Sequence, residues 1–140
     1  MIINDQVIFS ARMDKLETMM AWTRKMLHLA LFPVGDQNKV EIAVEEALVN
    51  VIRYAYGENG GDITLSCRLD PTLYVEFTIR DSGIPFNPLL QSCKEPTSGE
   101  TLEEKREGGL GILFMRNLMD DVHYERAHSQ NILILRKNLQ

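Results

Sequence analysis

Cysteine is scarce in this 140-residue chain, which carries two, Cys67 and Cys93. Their spacing fits neither a zinc site nor a disulfide framework. Both read as plain thiols, Cys67 in a strand and Cys93 in a loop. Long apolar runs are missing too: none approaches the roughly 20 residues that cross a bilayer. No basic segment followed by a short apolar core opens the chain, so the expectation is a cytoplasmic protein without membrane contact. Positive charge is also short, with 15 Lys and Arg against 20 Asp and Glu and a net charge of −5. That balance argues against a direct nucleic-acid partner, which calls for a basic patch. It leaves room for a bound nucleotide, since a metal ion and helix dipoles outweigh global charge locally. The common signatures are absent as well: no P-loop, no Gly-x-Gly-x-x-Gly after a first strand, no Gly-x-Ser-x-Gly elbow. The three histidines, His28, His123 and His128, are scattered and form no zinc pattern.

What is present is ordinary globular composition, 25% charged and 44% hydrophobic, sized for one domain over residues 1–140. Gln6–Ser10 reads as a first strand, and Ser10 as the N-cap of a long helix reaching about Leu31. Its apolar positions include Leu16, Met19, Met20, Met26 and Leu27 at near-helical spacing. Pro33 and Gly35 break it. Asp36 then caps a second helix to about Tyr56, with Val40, Ala43, Val44, Ala47, Leu48, Val51 and Ala55 in one stripe. Asp62–Leu69 and Leu73–Arg80 alternate as a hairpin around Asp70-Pro71-Thr72. From Ile84 to Glu107 the pattern is irregular, long for a connection within a domain. Leu110–Met119 is helical again, and Val122–Ala127 with Ile132–Lys137 makes a closing hairpin turned near Ser129-Gln130-Asn131. The order implies α+β: a sheet of about four strands with helices on one face.

Three segments carry candidate chemistry. Glu46, Asn50 and Arg53 lie along one flank of the second helix's stripe. A side-chain amide there suits Mg2+, which takes oxygen ligands and keeps waters, and a carboxylate one turn away suits a base. Asp81 ends a strand before Gly83, where it could accept from the exocyclic amine of adenine while glycine permits close backbone approach. Gly108, Gly109 and Gly111 open a helix whose free N–H groups and dipole favour phosphate. Each alone has a plainer reading: a solvated helix face, an Asx-type turn, a flexible hinge. Lys105 and Arg106 read as a solvated charge run.

Together and in order, Glu46-Ala-Leu-Val-Asn50 with Arg53-Tyr54-Ala55-Tyr56, Asp81-Ser-Gly-Ile-Pro-Phe-Asn-Pro88 and Gly108-Gly-Leu-Gly-Ile-Leu-Phe-Met-Arg-Asn-Leu-Met-Asp120 resemble the N, G1 and G2 boxes of the anti-sigma factor/serine-protein kinases of the GHKL ATPase superfamily. The resemblance runs from about the first helix to the carboxyl terminus. It implies a Bergerat-type two-layer α/β sandwich with a mixed, mainly antiparallel sheet, ATP and Mg2+ as cofactors, and an ATP lid at about 85–107. It implies Glu46 as catalytic base, Asn50 as magnesium ligand and Asp81 as adenine reader. Nucleotide contacts would come from Arg53, Gly83, Phe86, Gly108, Gly109, Leu110, Gly111 and Ile112. The implied partners are an anti-anti-sigma (STAS-type) protein as phosphate acceptor and a sigma factor, with the chain a homodimer. Tyr54 departs from the His many relatives carry. A non-catalytic, ATP-binding partner-switching module is the competing reading, and a sensor histidine kinase fragment is disfavoured because no phospho-acceptor helix is recognisable.

Overall fold

Period-two alternation builds the sheet. The computed structural model describes residues 1–30, 32–88 and 111–139, with 111–114 by backbone alone. Strand β2 (Asp62–Asp70) turns Ile63, Leu65, Cys67 and Leu69 inward, and β3 (Tyr74–Asp81) turns Val75, Phe77, Ile79 and Asp81 the same way. With β1 (Ile3–Ser10), β4 (Asp121–Ala127) and β5 (Gln130–Asn138) they form one sheet in the order β1-β2-β3-β5-β4. Where the sequence implies about four strands, mainly antiparallel, there are five among the described residues, and every pairing between them is antiparallel. The polar Asn4, Asp5 and Gln6 hide the start of β1 from hydrophobic alternation, yet β1 pairs from Ile3↔Leu69 to Ser10↔Asp62. The expected α+β class holds.

Helices cover one face. α1 (Leu16–His28) buries Met19, Met20, Trp22, Met26 and Leu27. α2 (Val34–Tyr54) buries the predicted stripe from Val40 to Val51, and α3 (Gly111–Leu118) packs along it with Met115 fully buried. Trp22 meets Phe77 edge-to-face at 6.1 Å between centroids, and its Nε1–H donates to Asp5 Oδ2 at 3.1 Å. One side chain thus ties α1 both to the central strand and to the edge strand. Burial pushes the Cys67 thiol up to about 12, in keeping with an inert core residue; Cys93 lies outside the described residues.

Two helix starts differ from expectation. Ser10 is the last residue of β1, not a cap: the next residue stays with the sheet, Ala11 N–H donating to the Gly61 carbonyl at 2.8 Å. A 3₁₀ turn at Met13–Lys15 then leads into α1. Likewise Pro33 occupies the N-cap position of α2, and Asp36 sits in the first turn, where its charge favours the helix dipole. The Asp70 turn is as expected, its Oδ1 accepting from the Thr72 N–H at 3.1 Å.

The last hairpin turns earlier than Ser129-Gln130-Asn131. Ala127 pairs with Gln130, so the two loop residues are His128 and Ser129, both left-handed at φ 54° and 62°. Two positive φ values are the signature of the primed turn that matches strand twist, a conformation glycine and asparagine adopt most cheaply. Ser129→Gly is therefore expected to stabilise the protein by about 1 kcal/mol. A lowered urea midpoint in the variant would refute the strain assigned here.

Candidate functional site

α2 carries the first part of the site. Glu46 and Asn50 are both half-buried and one helical turn apart, so they leave the rigid helix in nearly the same direction. Helical spacing puts them beside Ala47 and Val51, which are buried against the sheet. At the helix's far end Tyr54 stacks on Phe86 with centroids 5.5 Å apart.

The second part is the turn after β3. Asp81 is 2% exposed, and its Oδ1 accepts from Gly83 N–H and from Asn131 Nδ2, both at 2.9 Å. Every remaining backbone N–H through Phe86 is also engaged. Ser82 N–H donates to Tyr56 Oη at 2.7 Å, Ile84 N–H to the Ala55 carbonyl at 2.9 Å, and Phe86 N–H to Asn131 Oδ1 at 3.2 Å. Arg126 from β4 donates to the Gly83 carbonyl at 2.8 Å. A segment that reads in sequence as an open turn is clamped between the end of α2 and the β4–β5 hairpin.

Gly83 is demanded by that clamp. A Cβ at this position would lie 2.0 Å from the Ala55 carbonyl oxygen and 2.5 Å from its carbon. These are backbone atoms that have little room to yield. The expected close approach is real, and what approaches is the end of α2.

Burial raises the Asp81 carboxyl above its ordinary value, against hydrogen bonds from Asn131 and Gly83 and the charge of Arg126, which lower it. A carboxylate placed so deep is a cost that folding alone does not require.

Asn50, Asp81 and Phe86 face one cleft, together with Ala47, Val51, Ile79, Pro88, Tyr124, Asn131 and Leu133. Its free volume is about 10 Å³, room for about one water. A ligand larger than water does not fit without displacing a wall, and one wall is the Phe86 ring, stacked on Tyr54. A larger depression of about 410 Å³ lies on the uncovered face of the sheet. It is formed by Asn4, Gln6, Ser66, Arg68 and Thr78 with backbone of Asp5 and Cys67. Uncharged polar groups around one exposed guanidinium offer no acid–base pair, so the narrower cleft is the candidate site. Among the described residues no group of three or more His, Cys, Asp and Glu could hold a metal. An ion there would depend on a lone amide ligand such as Asn50, with phosphates and the waters that magnesium retains filling the other positions.

Of the other candidates, Glu46 lies one turn along α2 from Asn50, and Arg53 is exposed near the helix end. Gly111 and Ile112 are backbone positions in the first turn of α3. Gly108, Gly109 and Leu110, like most of the expected lid at about 85–107, lie outside the described residues. Sequence reasoning missed Asn131, Tyr124 and Tyr56. Asn131 is 4% exposed, a burial that its place beside Gln130 at the start of β5 does not reveal in sequence.

The model of the histidine kinase-like ATPase domain family matches residues 9–137. The chain is 30% identical over 105 residues to "Serine-protein kinase RsbW" of Bacillus mycoides (strain KBAB4), covering 74% of this chain and 65% of that protein. It is 31% identical over 100 residues to the protein of that name from Oceanobacillus iheyensis, covering 68% of this chain and 61% of that one. The chain thus matches just under two thirds of these relatives' own length. The crystal structure of the RsbU and RsbW domains of a Mycobacterium tuberculosis protein aligns over 98% of this chain and 32% of that one, with a TM-score of 0.69 and 14% identity. That likeness is one of fold.

Two stability measurements test the clamp. Gly83→Ala is expected to cost about 1–3 kcal/mol, because the added methyl forces the turn off α2; thermal unfolding at the wild-type temperature would contradict the close contact. For Asp81, the folded carboxyl titrates above its unfolded value, so the folded state binds more protons between the two. The contribution of Asp81 to stability is therefore best at low pH and falls as pH rises through the folded value. Asp81→Asn keeps an oxygen for Asn131 and Gly83 and removes the charge. Its urea midpoint relative to wild type should improve from acid toward neutral pH, and a relative decline would reverse the sign assigned here.

Proposed function

We propose that this chain, which belongs to the histidine kinase-like ATPase domain family, is an ATP-dependent serine/threonine-protein kinase and anti-sigma factor of the cytoplasm. Its acceptor is a STAS-type anti-anti-sigma protein, its second partner is a sigma factor, and the working form is a homodimer. The observation that carries the reading is the shared cleft of Asn50 and Asp81: a metal-suited amide and a buried, acceptor-only carboxylate, held by rigid elements.

In this reading Asp81 accepts a hydrogen bond from the exocyclic amine of adenine, and Phe86 forms an apolar wall of the base pocket. Asn50 would hold magnesium through its side-chain oxygen, and the bound ion would offset the phosphate charge. Gly108, Gly109 and Gly111 offer backbone N–H groups to the phosphates. Glu46 takes the proton from the acceptor hydroxyl as its oxygen bonds to the γ-phosphorus, and the bond from that phosphorus to the β–γ bridging oxygen breaks to release ADP. Retention of Glu46 one turn from Asn50 favours a kinase over a module that only grips its partner, because binding alone has no use for a base. In the same reading Arg53, exposed near the end of α2, meets the nucleotide's charge.

Glu46→Gln preserves shape and hydrogen bonding, so ATP affinity should stay within about twofold while transfer to the acceptor protein falls about 10²–10⁴-fold. Asn50→Ala should instead weaken Mg-ATP itself, because the ligand oxygen is gone. Calorimetry and a radiolabel transfer assay separate the two. Transfer at the wild-type rate by Glu46→Gln removes Glu46 as base. A wild-type protein that holds its partner with ATP but never phosphorylates it establishes the non-catalytic switching module.

A further inference from the structure

Asp81 can read a base only if one of its oxygens is held back and the other offered, and the side chain that does the holding is Asn131. Resting on the nucleotide-binding reading above, we propose that Asn131 is the positioning residue that sets base specificity. Its carboxamide occupies Oδ1 of Asp81 and leaves Oδ2 as the acceptor, so that an amino-purine is preferred over a keto-purine.

Four hydrogen bonds converge on this one amide. Nδ2 donates to Asp81 Oδ1 at 2.9 Å and to the Ile84 carbonyl at 2.7 Å. Oδ1 accepts from Phe86 N–H at 3.2 Å and from Tyr124 Oη–H at 2.6 Å. Three of these partners have no choice of role: the carboxylate and the carbonyl only accept, and the peptide N–H only donates. The amide therefore has one permitted orientation, and a flip would set an oxygen against Asp81. Both residues are nearly sealed from water, at 4% and 2% exposure, where a mismatched group is expensive. They are direct cross-strand partners, Asp81↔Asn131, and both line the cleft.

The consequence is chemical. Asp81 Oδ1 is saturated by Asn131 and Gly83, and no partner for Oδ2 is found among the described residues. A carboxylate oxygen accepts and never donates, so it binds the 6-amine of adenine and repels the 6-oxygen of a keto-purine. A site built to pair one donor rejects an analogue that lacks it far more strongly than shape alone can. Donation from Asn131 also keeps Asp81 in its charged, accepting form against the pull of burial, with Arg126 acting in the same sense.

The test compares ATP with inosine triphosphate, which carries a keto group in place of the amine, by titration calorimetry on the full chain. Wild type should prefer ATP. Asn131→Asp is nearly isosteric and keeps the acceptor for Phe86 and Tyr124, but it loses both donors and faces Asp81 with a second acid. The two acids would share a proton. ATP affinity should fall tenfold or more, and the ATP preference should collapse toward parity. Asn131→Ser retains one donor and should hold an intermediate preference. A purely structural role lowers the stoichiometry of active protein without moving the ratio, so a wild-type ratio in either variant overturns the assignment. If Asn131→Asp does not fold, Asn131→Ser decides. A wild type that binds both nucleotides equally defeats the specificity claim alone, whereas one that binds neither defeats the nucleotide reading.

Discussion

The buried bond between Asp81 and Asn131 is the constraint on which the site's organisation depends. It joins the end of β3 to the start of β5, in the centre of the sheet, at a depth where an unpaired carboxylate would be intolerable. From it the turn to Phe86 follows almost of necessity. Once Asp81 is pinned, its neighbours in the turn meet fixed partners in Tyr56, Ala55, Asn131 and Arg126. The segment has no repetitive structure, yet its backbone is held nearly as firmly as that of a strand.

That bond exists only in one register. Side chains of a strand alternate between faces, so a one-residue slip of β5 against β3 would carry Asn131 to the uncovered side and bring Gln130 or Ile132 opposite Asp81. The two left-handed residues of the β4–β5 turn fix the hairpin, and through Leu133 and Leu135 the core fixes its face. Strain tolerated at His128 and Ser129 is thereby connected to the chemistry of a residue in another strand. The apolar residues supply the energy that makes such a register worth keeping: Leu133 lies against Ile79 and Leu135 against Phe77.

Much of this was legible in the sequence, and the gaps have physical causes. The α2 stripe, the β2–β3 hairpin and the inward face of both strands follow from local periodicity, which one element encodes by itself. Asn50, Asp81 and Phe86 were legible as short patterns, and they do face one cleft. Asn131 was not, because nothing near it in sequence distinguishes a strand amide that bonds a carboxylate 50 positions away from one that faces water. Tyr56 has the same difficulty: its hydroxyl bridges Asp62 and Ser82, partners set by the fold rather than by spacing. Ser10 misled for the opposite reason. It is a good cap by type, but the strand claims it first, and the tertiary bond of Ala11 to Gly61 delays the helix.

The contact of Gly83 with Ala55 shows how two remote motifs become one instrument. Ala55 caps α2, the helix that bears Glu46 and Asn50, and its carbonyl receives the Ile84 N–H of the Asp81 turn. A helix advances about 1.5 Å per residue, so Asn50 and Ala55 are held about 7.5 Å apart along the axis. The turn is pressed on the end of that rod with no space for even a methyl group between them. The spacing between the Asn50 amide and the Asp81 carboxylate is thus set by rigid backbone, not by adaptable side chains. Such a gauge suits a ligand whose two ends are chemically different and must both be placed, base at one end and phosphates at the other. It also explains why glycine is needed at 83 although its backbone is not left-handed: the requirement is distance, and a side chain of any kind would lengthen the gauge.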